Sequence, residues 1–268
     1  MSRIENYHTR PDGTKLFYCI DDFTDQWKPA ESIVFVHGFG ESTEAWRAWV
    51  PHFARHYRVV RFDIRGFGQS TPMASDHKWS IDELMDDING LLEHLKLQNA
   101  LFVGGKSGGT IAMKYTVENP DKVTKLALMT APVIGPKTEA WLEIIENRGV
   151  QAWARETMPG RFGTALPPEA IEWWIDLMAK TPKTTLQSYL RWVPAVDITG
   201  DVKRIACPTL VVTGDKGPLH KVDETEGWQR TIKNSELRVI KGDGWHAGGA
   251  RPDECAAMTF EFFRRSTA

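Results

Sequence analysis

Cysteine is scarce: three in 268 residues, at positions 19, 207 and 255. An odd number at such wide spacing builds neither a disulfide framework nor a thiolate metal site, and the simplest setting is a reducing, cytoplasmic one. Surplus charge is scarcer still. Against 35 Asp and Glu stand 33 Lys and Arg, a formal net charge of −2, so there is no electrostatic case for nucleic acid or an anionic membrane surface. The nearest thing to a basic cluster, Arg264-Arg265, reads as the charges of a helix end. No apolar run approaches the length of a membrane span, and the polar stretch from Met1 to Thr14 does not read as a signal peptide. Internal repeats and low-complexity tracts are missing. The expected partner is a small-molecule substrate, with a second copy of the chain, as a homodimer, the other candidate. The chain's length suits one large α/β domain or a domain carrying an insertion.

What is present is alternation. Residues 14–20 read as a strand after the turn Pro11-Asp12-Gly13, with residues 3–9 as a hairpin partner. Ser32-Ile33-Val34-Phe35-Val36 is a continuous apolar run, the mark of a doubly buried parallel strand. Ser42 or Thr43 can cap a helix reaching about Arg55, with Trp46, Trp49, Val50 and Phe53 at helical spacing. A strand over 57–63 follows. Ser80-Ile81-Asp82-Glu83 is a capping box opening a helix whose Ile81, Leu84, Ile88, Leu91, Leu92 and Leu95 share a face. A strand over 100–105, a helix from 108 to about 118, and the strand 125–129 continue the pattern. Strands at 207–213 and 236–240 and a helix opening at Pro252 resume it later. Between them, residues 133–203 are helical, broken by prolines, and carry Trp141, Trp153, Trp173, Trp174 and Trp192. The expected fold is therefore α/β: a mostly parallel eight-stranded sheet with helices on both faces. Residues 1–132 and 204–268 form the core, and 133–203 are inserted as a helical cap.

One stretch concentrates chemistry. Leu101 to Met113 runs from a strand through small residues into a helix, and Gly105-x-Ser107-x-Gly109 has the spacing of a nucleophile elbow. Glycine relieves backbone crowding at such a turn, while the helix start offers unpaired N–H groups to a developing negative charge. Three further motifs follow the same order as in a known family. His37-Gly38-Phe39-Gly40, Asp63-x-Arg65-Gly66-x-Gly68-x-Ser70 and Gly242-Asp243-Gly244-Trp245-His246 flank the elbow, and with it the whole chain resembles the α/β-hydrolase fold family.

The resemblance implies Ser107 as nucleophile, His246 as its base, and an oxyanion hole from the backbone N–H groups of Phe39 and Gly108. It implies a loop-shaping role for His37, and Asp63, Arg65 and Ser70 are read as structural. The triad acid departs from the family pattern. After the seventh strand the run is Gly214-Asp215-Lys216-Gly217-Pro218, with Gly217 where an aspartate is usual, so Asp215 is assigned and Asp223 is the next candidate. Lys106 is unusual beside a nucleophile. It either pairs with a carboxylate beneath the loop or lends a cation to the pocket. Trp141, Trp192 and Trp245 are expected to line that pocket, which favours an apolar or aromatic substrate of modest size. Arg191, next to Trp192, reads as solvated.

The expected activity is that of a serine hydrolase cleaving an ester or lactone through an acyl-enzyme, with no cofactor or metal implied. Carbon–carbon bond hydrolysis and perhydrolysis share the same residues. A non-catalytic ligand-binding protein is the reading from another class, resting on the missing acid at Gly217.

Overall fold

A computed structural model describes residues 2–217, 221–242 and 244–266. Pro218 and Asp243, which fall in the expected acid and histidine motifs, lie outside them. Eight strands form one sheet: β1 (Ser2–Thr9), β2 (Lys15–Asp22), β3 (Ser32–Val36), β4 (Arg58–Phe62), β5 (Ala100–Gly105), β6 (Val123–Met129), β7 (Thr209–Gly214) and β8 (Ser235–Ile240). Their spatial order is β1-β2-β4-β3-β5-β6-β7-β8. β1 and β2 pair antiparallel with each other, β2 pairs antiparallel with β4, and every other pairing is parallel. β3 and β5 are buried along their whole length, which is why they read as unbroken apolar runs rather than alternating ones.

The helices are α1 (Val50–Phe53), α2 (Ile81–His94), α3 (Ser107–Glu118), α4 (Glu139–Arg148), α5 (Val150–Phe162), α6 (Pro168–Ala179), α7 (Lys183–Trp192), α8 (Val222–Gln229), α9 (Ala247–Ala250) and α10 (Pro252–Arg264). α2 starts where its capping box places it, with Ser80 Oγ accepting from the Glu83 N–H at 3.1 Å. The helix expected over 43–55 is not continuous. Ser42 caps a single 3₁₀ turn over Thr43–Trp46, and α1 begins only at Val50. Pro51 has no N–H to donate back across that junction, so the two pieces stay separate.

One side of the sheet packs against α2, α3 and the helices between β6 and β7, and the other against α1 and α10. α3 crosses the middle of the sheet almost completely buried. Between β6 and β7 the chain makes α4 to α7, and a lone antiparallel bridge, Ile134 to Asp197, joins the two ends of that excursion. No described helix is long and apolar enough to cross a membrane. Parallel strands leave their C-terminal ends on one edge, so the loops after β3, β5 and β7 gather there.

Candidate active site

The turn from β5 into α3 has one strained residue, and it is Lys106, at φ 52° and ψ −127°. A non-glycine side chain in that region is held only where its surroundings over-determine it. The glycines the turn requires confirm its register. A Cβ on Gly104 would sit 2.6 Å from Gly109 Cα, and one on Gly108 would collide with the His37 and Val36 carbonyls. Gly105 is freer, since its Cβ would meet only the Trp46 ring at 3.2 Å. The elbow is therefore Gly104-x-Lys106-x-Gly108, one residue earlier than Gly105-x-Ser107-x-Gly109. Lys106 occupies the apex, and Ser107 is the first residue of the helix.

This moves several expected roles. Ser107 is buried, and its Oγ accepts from the Phe39 N–H at 2.9 Å and bonds the Tyr189 hydroxyl. It fills the oxyanion loop instead of facing a base, so the assignment of Ser107 as nucleophile is corrected. Phe39 keeps a donor pointed at the site. The register also shifts the helix-start donor from Gly108 to the N–H of Ser107, because the donor is the residue after the apex. Asp215 is exposed, and its Oδ1 accepts from the Gly242 N–H at 2.8 Å. It ties the ends of β7 and β8 together and is not the histidine's partner. Asp223, exposed in the first turn of α8, accepts from the neighbouring Glu224 N–H.

Among the described residues, the carboxylate beside His246 is Glu41, which the sequence reading passed over. Glu41 lies at the end of the loop after β3. Its Oε2 accepts from the Gly38 N–H at 3.0 Å, and its Oε1 meets both the Lys106 ammonium and His246 Nε2, the latter at 2.9 Å. The histidine contact is close but poorly aligned for a hydrogen bond. His246 Nδ1 accepts from the Gly249 N–H at 3.2 Å, and the ring stacks on Phe162 and meets the edge of Trp174. Two backbone bonds, from Trp245 N–H to the Gly160 carbonyl and from His246 N–H to the Arg161 carbonyl, fasten this loop to α5. Only glycine fits at 244, where a Cβ would strike the Arg161 carbonyl.

Arg161 completes the group. It is 2% exposed, lies between the rings of Trp153 and Trp245 at 5.3 and 5.6 Å, and gives Nε to Thr157 Oγ1. Its Nη2 is buried with no hydrogen-bond partner among the described residues. Nothing but a lone arginine in a helical stretch marked it in the sequence. By contrast Arg191 bonds the Ser75 carbonyl and Glu146 at the surface, as expected of a solvated arginine.

Burial dominates the electrostatics. It pushes the Lys106 ammonium down to about 8, with Glu41 opposing and Arg161 adding to the shift. Burial and the Lys106 charge push His246 down to about 4, and burial takes Arg161 to about 10. Burial alone would raise Glu41, but Lys106 and His246 hold it well below the usual carboxylate range. At neutral pH the cluster is thus Lys106⁺, Arg161⁺, Glu41⁻ and a neutral His246. Among the described residues one positive charge is left over.

The cluster borders a narrow pocket of about 40 Å³, lined by Phe39, Lys106, Ser107, Pro132, Trp141 and Trp245 with Arg161 beside them. A second lobe of about 20 Å³ shares Ser107 and Pro132 and reaches Tyr189 and Trp192. The walls are apolar and aromatic. His37 stays structural: its Nδ1 contacts the Gly38 carbonyl at 2.8 Å and its Nε2 accepts from the Ile64 N–H at 3.0 Å. Asp63, Arg65 and Ser70 are likewise absorbed, Asp63 by the Thr43 and Gln69 N–H groups, Arg65 by Asp87, and Ser70 by Phe17 N–H and the Asp63 carbonyl.

The α/β hydrolase fold family model matches residues 31–166. A non-heme chloroperoxidase from Kitasatospora aureofaciens is 28% identical over 261 residues, covering 87% of this chain and 90% of that one. 3-oxoadipate enol-lactonase 2 of Acinetobacter baylyi is 24% identical over 217 residues, 78% and 80% of the two chains. Among solved structures, the enol-lactonase from Burkholderia xenovorans superposes with a TM-score of 0.89 at 22% identity, over 97% of this chain and all of that one.

Proposed function

The chain belongs to the α/β-hydrolase fold family, a family of enzymes, and from that premise we propose that it hydrolyses a small carboxylic ester or lactone by delivering water from the Lys106–Glu41–His246 cluster. The observation that carries this reading is the lysine at the elbow apex, paired to the same carboxylate oxygen that His246 faces. An ester acylating Lys106 would leave an amide, which does not turn over. In ester hydrolysis the useful form of Lys106 is therefore the ammonium, placed where the reacting carbonyl must lie. His246, neutral above about pH 4, takes a proton from water at Nδ1 once that nitrogen leaves the Gly249 N–H, and Glu41, facing Nε2, stabilises the imidazolium that forms. The Phe39 and Ser107 N–H groups receive the oxyanion once the Ser107 hydroxyl rotates away from Phe39. Relatives named as an enol-lactonase and a bifunctional esterase/perhydrolase support this substrate class. Three free cysteines, two of them buried, suit a cytoplasmic location.

The test is release of p-nitrophenol from p-nitrophenyl acetate, followed from the first turnover. The expected trace is linear with no burst. Ser107→Ala should keep most of the turnover, and Glu41→Gln should lose roughly 10²–10³-fold, the scale of removing one electrostatic stabiliser. A burst that vanishes in Ser107→Ala would restore the acyl-enzyme and overturn the water route.

A further inference from the structure

A lysine that leaves a stable amide with esters leaves a productive bond with ketones. Lys106 stands at the apex of the elbow and lines a pocket with Phe39, Trp141 and Trp245, its ammonium buried against Glu41. Beside it Arg161 keeps Nη2 buried and, among the described residues, without a partner. A guanidinium in that state presents donors whose natural occupant is a planar carboxylate. The positive charge left over among the described residues asks for an anion too, since an unpaired buried charge is costly.

We propose that Lys106 forms an imine with an oxo acid whose carboxylate seats on Arg161, and that the site cleaves the aldol bond of a 4-hydroxy-2-oxo acid. The Lys106 proton passes to Glu41, and the freed amine bonds the ketone carbon. The ketone oxygen recovers that proton and a second one, and leaves as water, giving an iminium. The C4 hydroxyl proton then goes to the Glu41–His246 pair as the C3–C4 bond breaks. Its electron pair flows into an enamine while the aldehyde departs. C3 takes back a proton, and water added at C2 releases the 2-oxo acid and Lys106. No oxidant or reductant is involved. Two features favour amine catalysis: desolvation of the lysine and the neighbouring guanidinium, the two standard ways of activating such a residue. Aldol cleavage fits better than decarboxylation, because a carboxylate clamped by Arg161 is kept as a handle.

The test is reductive trapping of the intact protein with pyruvate and sodium borohydride, followed by peptide mass mapping. One reduced adduct, on Lys106, is expected in the wild type and none at that position in Lys106→Met. Arg161→Met should lower pyruvate labelling by at least roughly tenfold, the scale of one charge-assisted hydrogen bond, while labelling by acetone stays unchanged. Propionate should protect the wild type, an arm that needs no variant to fold. Aldehyde release from 4-hydroxy-2-oxopentanoate is the accompanying activity. Labelling confined to surface lysines, or insensitive to propionate, would overturn the imine. An adduct on Lys106 without aldehyde release would overturn the cleavage. Neither result bears on ester hydrolysis, which is read separately.

Discussion

Lys106→Met isolates the buried ion pair at the elbow. Methionine keeps the length of the stem and carries the same backbone strain at φ 52°, so the change removes one charge and little packing. Glu41, 3% exposed, is then left with the Gly38 N–H, a neutral imidazole and the charge of Arg161, which reaches it through space but without a hydrogen bond among the described residues. Stranding one member of a buried pair costs about 3–5 kcal/mol. Here the carboxylate has a partial escape, because it can take up a proton or share one with His246. The lower end, about 3 kcal/mol, is therefore expected. For a chain of this size that corresponds to roughly 6–12 °C in Tm, at about 2–4 °C per kcal/mol. The double variant Lys106→Met, Glu41→Gln removes both charges and should return to within about 1 kcal/mol of the wild type, since replacing a whole buried pair is often close to neutral. Urea unfolding of wild type, both single variants and the double variant at pH 7 gives the coupling directly. A Lys106→Met cost below about 1 kcal/mol, or a double variant as unstable as the sum of the singles, would refute the coupling of these charges.

Other outcomes follow from the same geometry. Gly108→Ala and Gly104→Ala should abolish soluble folded protein, because their Cβ atoms meet backbone, whereas Gly105→Ala should fold with a modest loss of Tm. Equal tolerance at all three would place the elbow elsewhere. His246 binds protons less readily folded than unfolded, its value falling from the ordinary 6.5 to about 4. Its contribution to stability is therefore full above pH 6.5 and is lost as pH falls towards 4, a total of roughly 3 kcal/mol; in His246→Asn that segment of the pH–stability curve should flatten. Trapping of pyruvate on Lys106 should rise with pH through about 8 rather than through the ordinary lysine value near 10.5. Asp215→Asn should leave both activities within about twofold and cost at most about 1 kcal/mol, the worth of one exposed hydrogen bond.

The strands and most helices were legible because their signals are local. Val34 to Val36 and Leu101 to Val103 are apolar runs whatever surrounds them, and Ser80 with Glu83 caps α2 on its own. The helix expected through Arg55 failed at Pro51, where periodicity outvoted a single proline. The site was read one residue out of register for a specific reason. The run Gly104-Gly105-Lys106-Ser107-Gly108-Gly109 satisfies the elbow spacing twice, and composition favours the serine. Only the backbone dihedral at Lys106 and the crowding at Gly104 and Gly108 choose between them. Glu41 was missed because the acid was sought after β7, whereas its partner Lys106 lies 65 residues away in sequence. Arg161 carries no local mark at all. Its meaning comes from three separate segments converging: α5, the loop after β3 and the loop after β8.

The two backbone bonds between the His246 loop and α5 make the positions of the proton carrier and of Arg161 one variable rather than two. Both bonds end on Gly160 and Arg161, so a change that shifts the end of α5 shifts the imidazole with the guanidinium. A substitution at Gly160, where a Cβ would meet the Trp245 ring at 2.0 Å, therefore disturbs charge and proton transfer together.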